Sequence, residues 1–511
     1  MLRLTRSWSF LAFILALLVG TAGYAGAAAP NFGAVIHVAN LAALRNQGIS
    51  YGTTVVRDGF AAPGDAPPLT YTWAAICPGT PDNLALYVSP NAGGSGCWSA
   101  FGDPQVGNVL EWGADRFGGS DSAAAFNAIE SAANNIYIKR LIPCGTYLMS
   151  SAEWLINSSD DYQGMGSVCV AIKGTTTTQN TVYIAPNMLP HISDIGIDHT
   201  TASAPTAGAG LFSDDLASPT IERVSVQNNF VGVRLGATAY ATARKLISQN
   251  NYSHGIVVTD TAAYPHIQWQ LFEVTSQMNN GWGIQWYLNS TTGADTGGDF
   301  ENVGTYANTL GGWQFGGVAT AELNDMTCRH CYSSTDGSDG FQFVQVGANN
   351  MFSDTFSELA GTGASGRNLS TAAASHVGTG VLFVGGASSP SGQNREVSFS
   401  NLVVSNNSYA GVEVYSNSTL QSLTITNLTA TGNGEYANPA GLFLINTTTV
   451  SNITNMHARD LGSSTQAYGV SFGGVTAANS NTYIGNAQLS GSTAGCAATL
   501  TNKSLVSGTG C

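Results

Sequence analysis

From residue 232 to residue 495 the chain keeps writing one short figure: a polar turn, a glycine, then an apolar, any, apolar triplet. Val231-Gly232-Val233-Arg234-Leu235, His254-Gly255-Ile256-Val257-Val258 and Trp282-Gly283-Ile284-Gln285-Trp286 open the series. It continues at Gly312, Gly340, Gly380, Gly411, Gly441, Gly469 and Gly495, with successive glycines 23 to 40 residues apart. Such a period marks a solenoid, in which each repeat stacks only on its neighbours. Within each repeat the local period is two, so the units are strands. Val233 and Leu235, Ile284 and Trp286, Phe341 and Phe343, Val412 and Val414 fall on one face, while Arg234, Gln285, Gln342, Glu413 and Phe443 fall on the other. One coil cannot bury its apolar face; ten stacked coils can, over roughly 48 Å at about 4.8 Å per coil.

The pattern also sorts the aromatic and amide side chains. Trp286 and Trp313 take inward slots in line with Phe315, Phe343 and Phe383, which predicts an internal aromatic ladder. Trp269 and Trp282 are left as sugar-stacking platforms. Asn302, Asn401, Asn427 and Asn455 recur at matching places, as expected of a hydrogen-bonded ladder that satisfies turn backbone. Turn pairs such as Asn228-Asn229, Asn250-Asn251 and Asn406-Asn407 suit left-handed backbone.

Outside the repeat the grain changes. Residues 1–29 read as a secretory signal: Arg3 and Arg6 precede the apolar run Phe10 to Val19, and Ala25-Gly26-Ala27 offers a cleavage site. No later segment is apolar enough to cross a bilayer, so the expectation is a secreted protein free of the membrane. Residues 30–108 read as a small β-rich module. Beyond them, Ser120 or Asp121 can cap a helix over Asp121 to Ala133, with Ala125, Phe126 and Ile129 as its apolar stripe and the open end of the solenoid as its seat.

Composition narrows the partners. The 511 residues hold 17 Lys and Arg against 31 Asp and Glu, for a net charge of −14, and only 9% are charged. Removing the two leader arginines makes this −16. A nucleic-acid partner is excluded by that balance, because phosphates demand a basic face. Eight cysteines in an exported chain suggest disulfides, with Cys77–Cys97, Cys144–Cys169 and Cys496–Cys511 as the local pairs. Cys328-Arg329-His330-Cys331 has no second CxxC to complete a zinc site and reads as structural or free thiols.

One stretch carries a resemblance. Glu111-Trp112-Gly113-Ala114-Asp115, Asp121-Ser122-Ala123-Ala124-Ala125-Phe126 and Pro143-Cys144-Gly145-Thr146-Tyr147 resemble the opening of the pectate lyase superfamily, in the form seen in phage tailspikes and polysaccharide depolymerases. Trp112 stands where that opening usually has Phe, and Cys144 interrupts the Pro-Gly pair. Val38-Ala39-Asn40-Leu41, Gly64-Asp65, Tyr71-Thr72-Trp73 and Gly96-Cys97-Trp98 are similar in order to the short domain ahead of tailspike helices. The resemblance implies an all-β chain: a tailspike-like module over 30–108 and a right-handed, single-stranded parallel β-helix over 109–511, with a polysaccharide as partner and a homotrimer as one assembly. It does not fix the chemistry, because one such scaffold hosts lyases, hydrolases, epimerases and inert adhesins.

Candidate chemistry therefore has to come from the residues. The ordered motifs of polygalacturonase-like hydrolases are missing apart from Asp214-Asp215 and Ser253-His254-Gly255. Coil arithmetic offers more. Glu273, Glu301, Asp325 and Asp354 are 28, 24 and 29 residues apart, so on one strand face they would form an acidic stripe. Stacked carboxylates raise one another's pKa, as a general acid requires, and a bound Ca²⁺ would relieve the same repulsion. Trp269, Trp282, Arg234, Lys245 and His254 complete the expected substrate-binding set. The leading reading is an exported glycoside hydrolase or polysaccharide lyase with its groove over residues 245 to 360. The alternative is a non-catalytic surface or tailspike-like protein whose long face binds a glycan.

Overall fold

The computed structural model describes residues 35–48, 53–81, 84–101, 106–132, 139–200, 203–237, 240–259, 267–288, 296–317, 323–344, 346–361, 378–384, 393–414, 419–433, 440–445, 450–459, 468–473, 481–490, 494–497 and 505–509. The leader, Cys511 and Ala133 lie outside them. The chain is a parallel β-helix. One wall is a 13-stranded sheet built from the glycine-marked strands and three more that precede them, Trp154–Ile156, Val182–Ile184 and Ala209–Ser213. The first two lack the glycine mark, whereas Ala209–Ser213 carries Gly210 in register with Gly232, so the glycine period begins one coil earlier than the sequence pattern suggested. The other wall is a 25-stranded sheet in which most coils contribute two short strands joined at a corner.

The repeating glycines follow from close approach between coils. A Cβ on Gly255 would lie 1.9 Å from the Ser276 hydroxyl and 2.7 Å from the Gly283 carbonyl. The hydroxyl has business there: Ser248 donates to Gly255 O at 2.7 Å, and Ser276 to Gly283 O at 2.6 Å. Beside it runs a buried amide column. Asn251 donates to Asn279 at 2.7 Å, Asn279 to Asn308 at 2.8 Å, and Asn308 to Asp336 at 2.9 Å. Asp336 also takes the Thr305 and Ser333 hydroxyls, and burial pushes its pKa up to about 6.

Inside, the aromatic ladder is present. Trp286, Phe315, Phe343 and Phe383 are in register, and Phe315–Phe343 and Phe343–Phe383 stack at 5.3 and 5.0 Å. Trp313 lies in the neighbouring column, in register with Ile284 and Phe341, and stacks on both Phe341, at 5.7 Å, and Phe315, at 5.5 Å. Glu413, expected outside, is fully buried and takes the Thr379 hydroxyl at 3.3 Å.

The helix Ala123–Ala132 closes the first coil, with Phe126 edge-on to Trp154 at 4.9 Å and to Tyr147 at 5.4 Å. Asp121 accepts from Ala123 N at its start. Ahead of it stands a five-stranded sheet with a core of its own around Tyr71, Val88 and Trp98. Buried Arg57 ties this module to the solenoid by donating to Leu84 O and Glu111 O. Three disulfides form among the described residues. Cys77–Cys97 and Cys144–Cys169 are as expected, and Cys328 bonds Cys331 across a corner, both buried in the core. No helix among the described residues is long and apolar enough to cross a membrane.

Candidate functional site

The corner between the paired strands decides where the acidic residues go. One residue in each coil turns left-handed there: Asp194, Arg223, Lys245, Glu273, Asn302, His330, Asp354, Asn401, Asn427 and Asn455, with φ from 51 to 61°. Their N–H groups are used in one way. Lys245 N donates to Phe272 O, Glu273 N to Glu301 O, Asn302 N to Arg329 O and His330 N to Ser353 O. The next residue inward is usually apolar, as with Val224, Leu246, Val274 and Val303. A left-handed L-residue costs about 1 kcal/mol or more, and these bonds and burials offset it.

This column dissolves the expected stripe. Glu273 and Asp354 share it, but Asn302 and His330 lie between them. Glu273 is 3.6 Å from Lys245, and Asp354 is 3.9 Å from His330 and accepts from Asn401 at 2.9 Å. Glu301 sits one residue before the corner, in register with Phe272 and Arg329. Asp325 precedes its strand at the opposite end and accepts from Asn349 at 3.0 Å. Near-equal spacing misled because the corner residues Glu273, Asn302, His330 and Asp354 are themselves 29, 28 and 24 residues apart, so acids spaced 28, 24 and 29 do not keep one register. Among the described residues no three His, Cys, Asp or Glu side chains converge as metal ligands.

Asp325 does belong to a cleft of about 380 Å³. Its floor is the outer face of the strands Ala241–Arg244, Ile267–Phe272 and Thr296–Glu301, and its lining includes Tyr240, Thr242, Gln268, Gln270 and Asp299. Thr242, Gln270, Asp299 and Thr327 form one outward column, the Thr327 hydroxyl donating to Asp299. Asp299 is therefore the diagonal neighbour of Asp325. With strands about 4.8 Å apart and a 3.3 Å rise, their Cα atoms lie roughly 8 Å apart. Glu301, two residues along the same strand face, is roughly 6.6 Å from Asp299. Sequence reasoning missed Asp299, although Thr-Gly-Gly-Asp-Phe-Glu alternates with Asp299 and Glu301 on one face.

The binding set divides. Trp269 is fully buried and donates to Gly236 O at 3.2 Å, so its indole belongs to the core and offers a sugar no face. Trp282 is only 8% exposed and lies against Gly311, where a Cβ would meet its ring at 2.1 Å. His254 Nδ1 accepts from Trp282 N at 3.0 Å, and burial lowers its pKa, which suits a neutral acceptor. Lys245 pairs with Glu273. Arg234 lies on the 13-stranded wall, its guanidinium 5.0 Å over Phe212. On that wall too, Asp214 takes the Tyr183 hydroxyl while Asp215 takes Ala237 N at 2.9 Å, so this pair serves loop contacts.

No family model matches the sequence, and no curated protein resembles it in sequence. Solved structures do match in shape. The catalytic domain of Agl-KA superposes with a TM-score of 0.53 at 15% identity, over 78% of this chain and 73% of that one. The likeness is one of fold. The catalytic unit of a GH87 α-1,3-glucanase from Streptomyces thermodiastaticus gives 0.51 at 14% identity, over 81% and 74%. The gp42 tailspike of Acinetobacter phage vb_AbaP_AS12 gives 0.51 at 12%, over 90% and 75%. The parallel β-helix expected from the repeat is thus the fold this chain shares with these proteins.

Proposed function

We propose that this chain is an exported glycan hydrolase whose cleft holds the scissile bond between Asp299 and Asp325. The carrying observation is the diagonal placement of two outward carboxylates on adjacent coils inside one cleft. With Cα atoms roughly 8 Å apart by strand geometry, the two side chains flank the cleft from adjacent coils, and hydrolysis with inversion requires their carboxyl groups to stand about 6.5 to 9.5 Å apart, which leaves room for a water beside the sugar. One carboxylic acid protonates the glycosidic oxygen as the C–O bond breaks. The other takes a proton from the water that attacks the anomeric carbon from the opposite face, giving inversion.

A lyase reading is weaker, since it must neutralise a uronate carboxylate and no Arg or Lys is among the described residues lining the cleft. Export is supported by the leader pattern and the three disulfides. An α-1,3-glucanase and a phage tailspike among the shape-matched proteins are in keeping with a polysaccharide substrate.

The test is release of reducing ends, read together with absorbance from unsaturated uronates, across bacterial and plant polysaccharides. Asp299→Asn and Asp325→Asn should each lower release by about 10²- to 10⁴-fold at unchanged melting temperature. The general-acid variant is the one that keeps activity on aryl glycosides with good leaving groups. Retention of a glycan with no release would make this a binding protein; unsaturated products would make it a lyase.

A further inference from the structure

We infer that the cleft takes an uncharged stretch of glycan, stacked on Tyr240; this rests on the reading of the cleft as a glycan site and narrows its substrate class. Tyr240 stands at the cleft edge with 79% of its surface exposed. An aromatic ring so exposed forfeits the burial that usually holds it, and it offers a flat apolar face with a polar tip to a sugar ring. Gln268 and Gln270 are exposed beside it. Gln270 accepts the Thr242 hydroxyl at 3.4 Å, leaving its amide hydrogens for a ligand. Such amides donate to and accept from sugar hydroxyls without charge.

The charges around the cleft point the same way. Asp299 and Asp325 are the acidic side chains of its lining, and no cation stands among the described lining residues. The nearest cations sit farther along the sheet and have neighbours of their own. The Arg244 guanidinium lies 4.9 Å over the Phe272 ring, Lys245 is 3.6 Å from Glu273, and Arg329 is in register with Glu301. A uronate or sulfated residue in the cleft would bring its negative charge up to this acidic pair, inside the roughly 8 Å over which physiological salt leaves charges interacting. The net charge of −14 adds to that repulsion. Hydroxyl-bearing neutral sugars meet no such penalty.

The experiment is affinity electrophoresis of the mature chain in gels containing neutral glucans, mannans and galactans, or polyuronates and sulfated glycans, each at low and high salt. At least one neutral glycan should retard the protein equally at both salts. Tyr240→Ala should weaken that retardation roughly tenfold, about 1.4 kcal/mol, and Gln268→Ala should weaken it too. Phe117→Ala, which removes an equally exposed ring near the capping helix, should leave it unchanged. Retardation by acidic glycans that weakens with salt, or none by any neutral glycan, overturns the inference. Retardation that depends on Tyr240 without release of reducing ends leaves the inference standing and overturns the hydrolase reading.

Discussion

The left-handed corner column has two halves with one backbone and two chemistries. From Asp194 to Asp354 it carries mostly charged side chains joined in local pairs: Arg223 bonds Asp194 and holds its carboxyl below the usual range, Lys245 approaches Glu273, and His330 approaches Asp354. From Asn401 to Asn455 it is a plain amide ladder, Asn427 donating to Asn401 at 2.8 Å and Asn455 to Asn427 at 2.9 Å. Among residues with a side chain Asn is one of those that best tolerate left-handed backbone, and it passes its amide to the next coil, so the neutral half is what packing alone would select. The charged half departs from that choice over the same coils that carry Tyr240, Asp299 and Asp325. The proposed cleft thus lies over the coils where the ladder is broken.

The comparison can be tested at several depths. Beneath the charged half, Trp286 is fully buried and edge-on to Phe300 at 5.2 Å. Trp286→Ala should cost about 3 to 5 kcal/mol in reversible denaturation, and a loss under about 1 kcal/mol would place the ring outside the core. Asp336 comes next. Its folded pKa of about 6 exceeds the ordinary 3.8, so its ionisation weakens the fold. The stability it contributes is whole below pH 4 and is lost as pH rises through 6. The shift is worth on the order of 3 kcal/mol. Asp336→Asn should flatten this part of the profile, so that the variant's melting temperature rises relative to wild type between pH 4 and pH 7. An unchanging difference would mean that Asp336 does not titrate there.

In the neutral half, Asn427→Ala removes two amide bonds and puts Ala into φ 61°. A loss of about 1 to 2 kcal/mol is expected. Asn427→Gly keeps the backbone comfortable and should lose less; equal losses would assign the whole effect to the amides. The smallest effect concerns Lys245 and Glu273, whose side chains are 54% and 49% exposed. A double-mutant cycle should give coupling under about 1 kcal/mol. A larger value would mean that the charged half is held together by its pairs, and its departure from Asn would then be structural.

The sequence by itself determined the solenoid, because an inward-outward alternation repeated once per coil can bury its apolar face in one way only. Trp286, Phe315 and Phe343 were legible as core from that period, and so was the amide ladder through Asn401, Asn427 and Asn455. What the tertiary structure decided was register between coils. Turn lengths vary, so Glu273 and Asp354 landed on the corner, Glu301 beside it and Asp325 at the far end of a strand, although one-coil spacing suggested a single file. Trp269 read as outward because its strand carries no glycine to fix the phase, and only the packing of coil on coil turned it into the core. Asp299 became visible beside Asp325 by the same route: the register of adjacent strands brings to one cleft residues whose separation in the chain carries no pattern of its own.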